Sequence, residues 1–364
     1  MARRPSPMTP WCPWFALGLL VAAEAWGQAP RRAFLFNDSH VHLTNYVQEG
    51  SDIRDLLRVM GNKVGRATLF GIPLQQQWSY RVSGSAAPTY YLQTDAPLYY
   101  YSFTDAFIAN AYLSLPADKR ERFEPMITGF NPTDMYAADH IRRVLTVYPG
   151  VFSGIGEFTI HKEFVSSKVA GEVASLSDPA LDRVLDFAGE VGLVVLLHND
   201  LDVPFAEAEQ TPVHLEQLKA LFKRHPRTTI IWAHLGAGRV VRPVEHHMAL
   251  MEAILADPAL RHVSMDISWT EVAKYVVSTP EATRRVAETI NRYPDRFLFG
   301  TDEVAPEEQA RYLRVYQQYA PMLEMLTPGA RTKLLQGNFA RLFDAARLKV
   351  RAWERAQRPP SVSP

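Results

Sequence analysis

The sequence predicts a single α/β domain folded as a closed (β/α)8 barrel of the TIM type, and three observations carry that prediction. Short runs of aliphatic and β-branched residues recur eight times along the chain. Helical stretches separate them, the alternation expected of parallel strands joined by crossover helices. Several runs, notably 193–197 and 229–233, are apolar almost throughout, as strands covered on both faces are. An open doubly wound sheet is the alternative. Against it, the first run is followed by Asp38-Ser39-His40-Val41-His42 and not by a glycine-rich dinucleotide fingerprint.

Taken in order, the amino terminus reads as an address. Arg3 and Arg4 precede an apolar run at 14–23 that closes on Ala23-Glu24-Ala25. Basic, then apolar, then small is the order of a secretory signal peptide, here residues 1–25. A buried or membrane-anchoring helix is the alternative. The run is short for a bilayer span, and no later segment approaches about 20 uninterrupted apolar residues. A periplasmic or secreted location follows, with no stable membrane span once the signal is removed.

The barrel domain is expected over 34–347. Its strands are placed at 34–38, 66–72, 125–130, 152–158, 193–198, 229–234, 262–267 and 296–301. Helices are placed at 180–190, 213–223, 244–255 and 281–291. The first and last follow Ser177-Asp178-Pro179 and Thr279-Pro280, which supply a cap and a preset φ. Residues 75–102 form an insertion too long for an ordinary barrel loop, carrying Trp78, Tyr80, Tyr90, Tyr91, Tyr99, Tyr100 and Tyr101. It either caps the pocket over a planar substrate or packs on itself or on another copy. Residues 355–364 read as a disordered tail.

Composition narrows the chemistry. At 47% hydrophobic residues over 364 positions the chain can bury a sizeable core. Charge is balanced, 39 basic against 39 acidic residues with no basic block, which excludes nucleic acid as an expected partner. A small-molecule substrate is expected instead, and a homo-oligomer is left open. The one cysteine, Cys12, lies in the leader, so any metal must be held by histidine and carboxylate.

His40 and His42 are two apart at a strand end and therefore share a face, the interior of a barrel. Asp38 has the same parity and is a candidate to orient an imidazole. A His-x-His pair alone is more often surface or core. Here, however, Glu157, His198, His234 and Asp302 each close a further apolar strand, at the rim where barrel enzymes carry their active sites. Such nitrogen and oxygen donors suit zinc first, with manganese or iron as alternatives. Asp302 or His234 would accept the proton of a metal-activated water. His161, Asp266, Trp269 and Arg239 are candidate substrate contacts, against a solvated loop, a strand-end hydrogen bond or a capping role. His246 and His247 read as surface.

The segments Asp38-Ser39-His40-Val41-His42, Gly156-Glu157, Leu197-His198, Ala233-His234-Leu235-Gly236, Phe299-Gly300-Thr301-Asp302 and 337–343 together resemble the amidohydrolase superfamily. More closely they resemble the amidohydrolase-related branch that includes aminocarboxymuconate-semialdehyde decarboxylase, from residue 34 to about 347. The resemblance implies a distorted barrel in which His40, His42 and Asp302 bind a divalent metal. In the decarboxylase-like pattern His198 is the remaining ligand and His234 activates water. In binuclear relatives such as the TatD-like enzymes, a carboxylate matching Glu157 supports a second ion held by His198 and His234, so one or two ions remain open. Lys162, five residues past Glu157, is not placed for a carboxylated-lysine bridge.

The leading expectation is an exported metal-dependent hydrolase of a small-molecule ester, lactone or amide. The alternative is a non-hydrolytic decarboxylase of an acidic aromatic or enal-type substrate. A catalytically inactive barrel acting as a binding protein is the weaker third reading.

Overall fold

Eight parallel strands pair strictly in chain order: β1 (Phe36–Asp38), β2 (Val64–Leu69), β3 (Phe123–Ile127), β4 (Gly154–Thr159), β5 (Val194–His198), β6 (Thr229–Trp232), β7 (Val263–Asp266) and β8 (Phe297–Leu298). The computed structural model describes residues 34–357. The expected signal peptide therefore lies outside the described residues. Past each strand runs a principal helix: α1 (Ile53–Met60), α2 (Phe103–Leu113), α3 (Ala137–Val147), α4 (Pro179–Val191), α5 (Leu215–Arg224), α6 (His247–Ala256), α7 (Pro280–Arg292) and α8 (Asn338–Gln357).

The two ends of the sheet meet. Ser39 N donates to Phe299 O at 3.0 Å and Asp302 N to His40 O at 2.7 Å. Beyond them the short strand Val41–His42 pairs in parallel with Glu303–Val304. Asp38 secures this seam, accepting from Thr301 Oγ1 at 2.7 Å, Thr301 N at 2.9 Å and His40 N at 3.0 Å. It therefore binds backbone and hydroxyl and orients no imidazole, which corrects the sequence expectation. Burial raises its carboxyl to about 6 despite those bonds.

Helix α4 shows why these segments fold where they do. Asp178 Oδ1 accepts from Ala180 N at 2.9 Å, Pro179 opens the helix and Gly192, at φ 86°, ends it in the left-handed region. Leu181, Val184, Leu185 and Ala188 recur at helical spacing and are all buried. Burying a side chain of this size is worth roughly 1.5–3 kcal/mol. In β5 parity divides the strand. Val195 and Leu197 join the layer beneath the helices, whereas Val194 and Leu196 enter the barrel interior with Met126, Ile231 and Leu298. Phe339, Phe343 and Ala346 of α8 pack against that inner layer. His198 has the interior parity and stands at the opposite end of β5, so the polar rim rests on a filled apolar barrel.

Two boundaries and one burial differ instructively from expectation. Strand β3 begins at Phe123, two residues early, because Glu124 is a buried strand residue paired with Arg66 and Arg347 and accepting from Ser153 Oγ at 2.9 Å. Helix α8 runs to Gln357, into the segment expected as tail. His247 is buried, its Nε2 3.0 Å from the Leu235 carbonyl, so of the pair read as surface only His246 is exposed.

Candidate metal centre and its cavity

The strand-end residues singled out above gather at one end of the barrel, His40, His42, Glu157, His198 and His234 buried and Asp302 partly buried. His40 and His42 project from the β1 seam, Glu157 from β4, His198 from the end of β5 and Asp302 from just past β8. His234 sits beyond β6 in a turn with His234 at φ 58° and Leu235 at φ 54°. Gly236 permits that turn: at φ 69°, a Cβ there would lie 2.2 Å from the Trp232 ring. Asp302 at φ 54° and Trp269 at φ 77° are also left-handed. Such backbone strain in non-glycine residues concentrates at functional sites, because it aims side chains that a regular strand would not.

Glu157 divides the centre. Its Oε2 lies 3.3 Å from His42 Nε2 and 3.6 Å from His40 Nε2, and Asp302 Oδ1 lies 3.2 Å from both nitrogens. His40, His42, Glu157 and Asp302 thus form one four-residue set able to hold an ion. Glu157 Oε1 faces the other way, bonded to His198 Nδ1 and 3.7 Å from His234 Nε2, giving a second set of Glu157, His198 and His234. It is Glu157, and not His198, that joins the strand-one histidines. His198 Nε2 is held 3.1 Å from Asp200 Oδ1.

The hydrogen bonds assign the tautomers. His40 Nδ1 donates to Asp266 Oδ2 at 2.9 Å, which makes Nε2 the nitrogen it turns to the centre. Ser268 Oγ donates to Asp266 Oδ1 at 2.6 Å and accepts from His234 Nδ1 at 2.8 Å, leaving His234 Nε2 as a free acceptor. Among the described residues both Nε2 atoms are buried without a hydrogen-bond partner. A buried donor-rich set with unsatisfied nitrogens between two carboxylates fits a divalent cation. Electrostatics agree. Burial disfavours charge on Glu157, but Lys162, His198 and His40 outweigh it and hold the carboxyl well below its usual range. Burial likewise opposes charge on Asp302, and the charge of His40 together with the His42 hydrogen bond overcomes it. His234 is pushed down, burial outweighing its acidic neighbours, and is neutral at pH 7.

A cavity of about 600 Å³ opens over His42 and Asp302, walled by Tyr46, Tyr90, Tyr91, Lys162, Arg239 and Trp269. The aromatic insertion divides its labour. Its ends pair as an antiparallel hairpin, Leu74–Gln76 with Leu98–Tyr100. Tyr90 and Tyr91 reach the cavity, while Trp78 and Tyr80 stay 52% and 84% exposed. A second cavity of about 690 Å³ between α6 and α7 is lined by none of the clustered ligand residues.

The other candidates fall in different places. Trp269 lines the cavity, 5.2 Å from the His234 ring. Arg239 lines it too, but its guanidinium is already committed to Glu271 Oε1 and Tyr90 Oη, both at 2.9 Å. Asp266 is fully buried behind His40 and His234 and does not face the cavity. His161 stacks face to face on His214, ring centroids 3.9 Å apart and planes within 4°, away from the cavity wall. Lys162, Ser268 and Asp200 were missed as participants. For Ser268 the only sequence signal is its position two residues past Asp266. Lys162 is out of place for a carboxylated bridge, yet it lies buried with Nζ 3.6 Å from Glu157 Oε1.

An amidohydrolase family description matches residues 38–345. Among solved structures, a Pseudomonas putida protein assigned as a 2-pyrone-4,6-dicarboxylic acid hydrolase is 13% identical, with 86% of this chain and 99% of that one covered at a TM-score of 0.51. The 2,6-dihydroxybenzoate decarboxylase from Rhizobium is 16% identical, covering 86% and 99% at a TM-score of 0.50. An uncharacterized TIM-barrel protein from Bordetella bronchiseptica is 13% identical, covering 85% and 99% at 0.50. At these identities the likeness speaks to the barrel alone. No curated protein sequence matches the chain significantly.

Proposed function

This chain belongs to the amidohydrolase family, and from that premise we propose an exported, metal-dependent hydrolase of a small-molecule ester, lactone or amide. One observation carries the reading: the unpartnered Nε2 atoms of His40 and His234, buried between Glu157 and Asp302. His40, His42, Glu157 and Asp302 would hold the ion, zinc first by donor type and manganese or iron otherwise. When bound, a divalent ion supplies Lewis acidity, lowering the pKa of water from 15.7 to about 7.

The chain's own residues supply the rest. His234, neutral and fixed through Ser268, takes the proton of the attacking water on Nε2. Asp266 holds His40 and the His234 turn in place through three bonds, to His40 Nδ1, His234 N and Ser268 Oγ. Trp269 and Tyr90 offer flat faces to a substrate sized to the cavity. Burial opposes the charge on Lys162, but Glu157 outweighs that and keeps it an ammonium, so the wall favours a substrate bearing an anionic group. The same cation gives the second reading, decarboxylation, its specific support, since it would hold a carboxylate beside the centre. Two structural relatives act, by name, on carboxylated rings, which puts such compounds in the test panel.

Hydrolysis is tested with zinc-loaded protein in 18O-water against lactones, esters, amides and carboxylated aromatics. The expected result is 18O in the product carboxyl group, abolished by chelation and restored by zinc. Carbon dioxide release without 18O uptake would replace hydrolysis by decarboxylation. Export rests on the order of residues 1–25. Protein recovered outside the cytoplasm should begin after Ala25.

A further inference from the structure

We propose that Lys162 is a fixed positive charge standing in for a second metal ion, so that the centre holds a single divalent cation. The inference rests on the metal-dependent reading above and assigns a role to a residue which that reading leaves on the wall. The Glu157 carboxylate has two faces. Its Oε2 meets His40 and His42, whose geometry is open: His40 Nε2 has no hydrogen-bond partner. Its Oε1 meets the set that would take a second ion, and that face is already furnished. His198 bonds Oε1 through Nδ1 and Asp200 through Nε2, contacts that a second ion would have to replace. Lys162 Nζ stands 3.6 Å from the same Oε1.

A divalent ion bound at Oε1 would sit beside this ammonium in a buried site, where like charges repel strongly because little water screens them. The ammonium is held there. The backbone beneath it is fixed by Lys162 N donating to Ser166 Oγ at 2.9 Å, and Nζ lies 5.7 Å from the Trp269 ring centroid, a cation–π distance. Among the described residues its Nζ makes no hydrogen bond, leaving its donors turned to the cavity, whereas Arg239 across the Trp269 ring is already engaged. Lys162 therefore does for Glu157 what a second cation would do, neutralising Oε1, and it presents N–H donors where a second ion would present an open site.

Zinc stoichiometry tests this without reference to turnover. Metal-free protein is titrated with zinc by calorimetry, and bound zinc is counted by mass spectrometry after gel filtration. The expectation is one ion per chain for the native sequence and for Lys162→Arg, and two for Lys162→Met, with native near-ultraviolet circular dichroism in all three. Two ions in the native protein or in Lys162→Arg, or one in folded Lys162→Met, overturns the proposal while leaving the metal-dependent reading intact. No ion in the native protein overturns both. Should Lys162→Met not fold, Lys162→Gln carries the same expectation of two.

Discussion

His40 and His234 present the same unpartnered nitrogen to the centre, yet their partners separate their roles. His40 belongs to the four-residue set around Glu157 and Asp302, while His234 is neutral and tethered to Ser268. Substituting His40→Asn should therefore empty the centre of zinc, and His234→Asn should keep the zinc while lowering kcat roughly 10²–10⁴-fold, the usual worth of a positioned base. Metal analysis and steady-state kinetics on the pair decide this. Loss of zinc from His234→Asn, or its retention in His40→Asn, would reverse the assignment. The residues legible beforehand share one trait: each ends an apolar run, so its position at the rim follows from the strand alone. Lys162 and Ser268 lie in turns past their strands, and Asp200 two residues past β5. Their positions depend on backbone turns and on partners far away in sequence, which no local pattern encodes. Asp266 was legible as important but not as buried, because what it faces is set by His40, 226 positions away.

Strands and helices were readable where one residue type dominates and opaque where a charge is paired in the core. The interior of β5 could be read directly from Val194-Val195-Leu196-Leu197, all buried. The start of β3 could not, since Glu124 resembles a loop residue until Arg66 and Arg347 close on it. The same blindness hid His247 at the start of α6, whose bond to the Leu235 carbonyl braces the turn carrying His234. Burial pushes this imidazole down to about 4, although the carbonyl bond favours its charge. In the unfolded chain it titrates near 6.5, so its contribution is fully present above that pH and is lost as pH falls towards 4. At 1.36 kcal/mol per unit the loss is about 3 kcal/mol. Urea unfolding at several pH values should show that fall, flattened in His247→Gln, which removes the titration and keeps an N–H donor. An unchanged acid slope in the variant would remove His247 as the cause.

At the scale of the whole molecule, the barrel is what turns scattered residues into a site. His40 and Asp302 are 262 positions apart, yet the seam between the first and last strands puts them on neighbouring backbone, Asp302 N bonded to His40 O. Eight alternating strands without a dinucleotide fingerprint pointed to that closure over the open doubly wound sheet that was the alternative. The aromatic insertion was not resolvable in the same way: its tyrosines divide between cavity and surface according to contacts with Arg239 and Glu163. The central claim, that the rim converges on a divalent ion, is tested most directly by anomalous diffraction at the zinc edge from crystals grown with zinc. The account predicts a peak within bonding distance of His40, His42, Glu157 and Asp302. A zinc-containing crystal with no peak there, and those four side chains bonded only to one another, would contradict it.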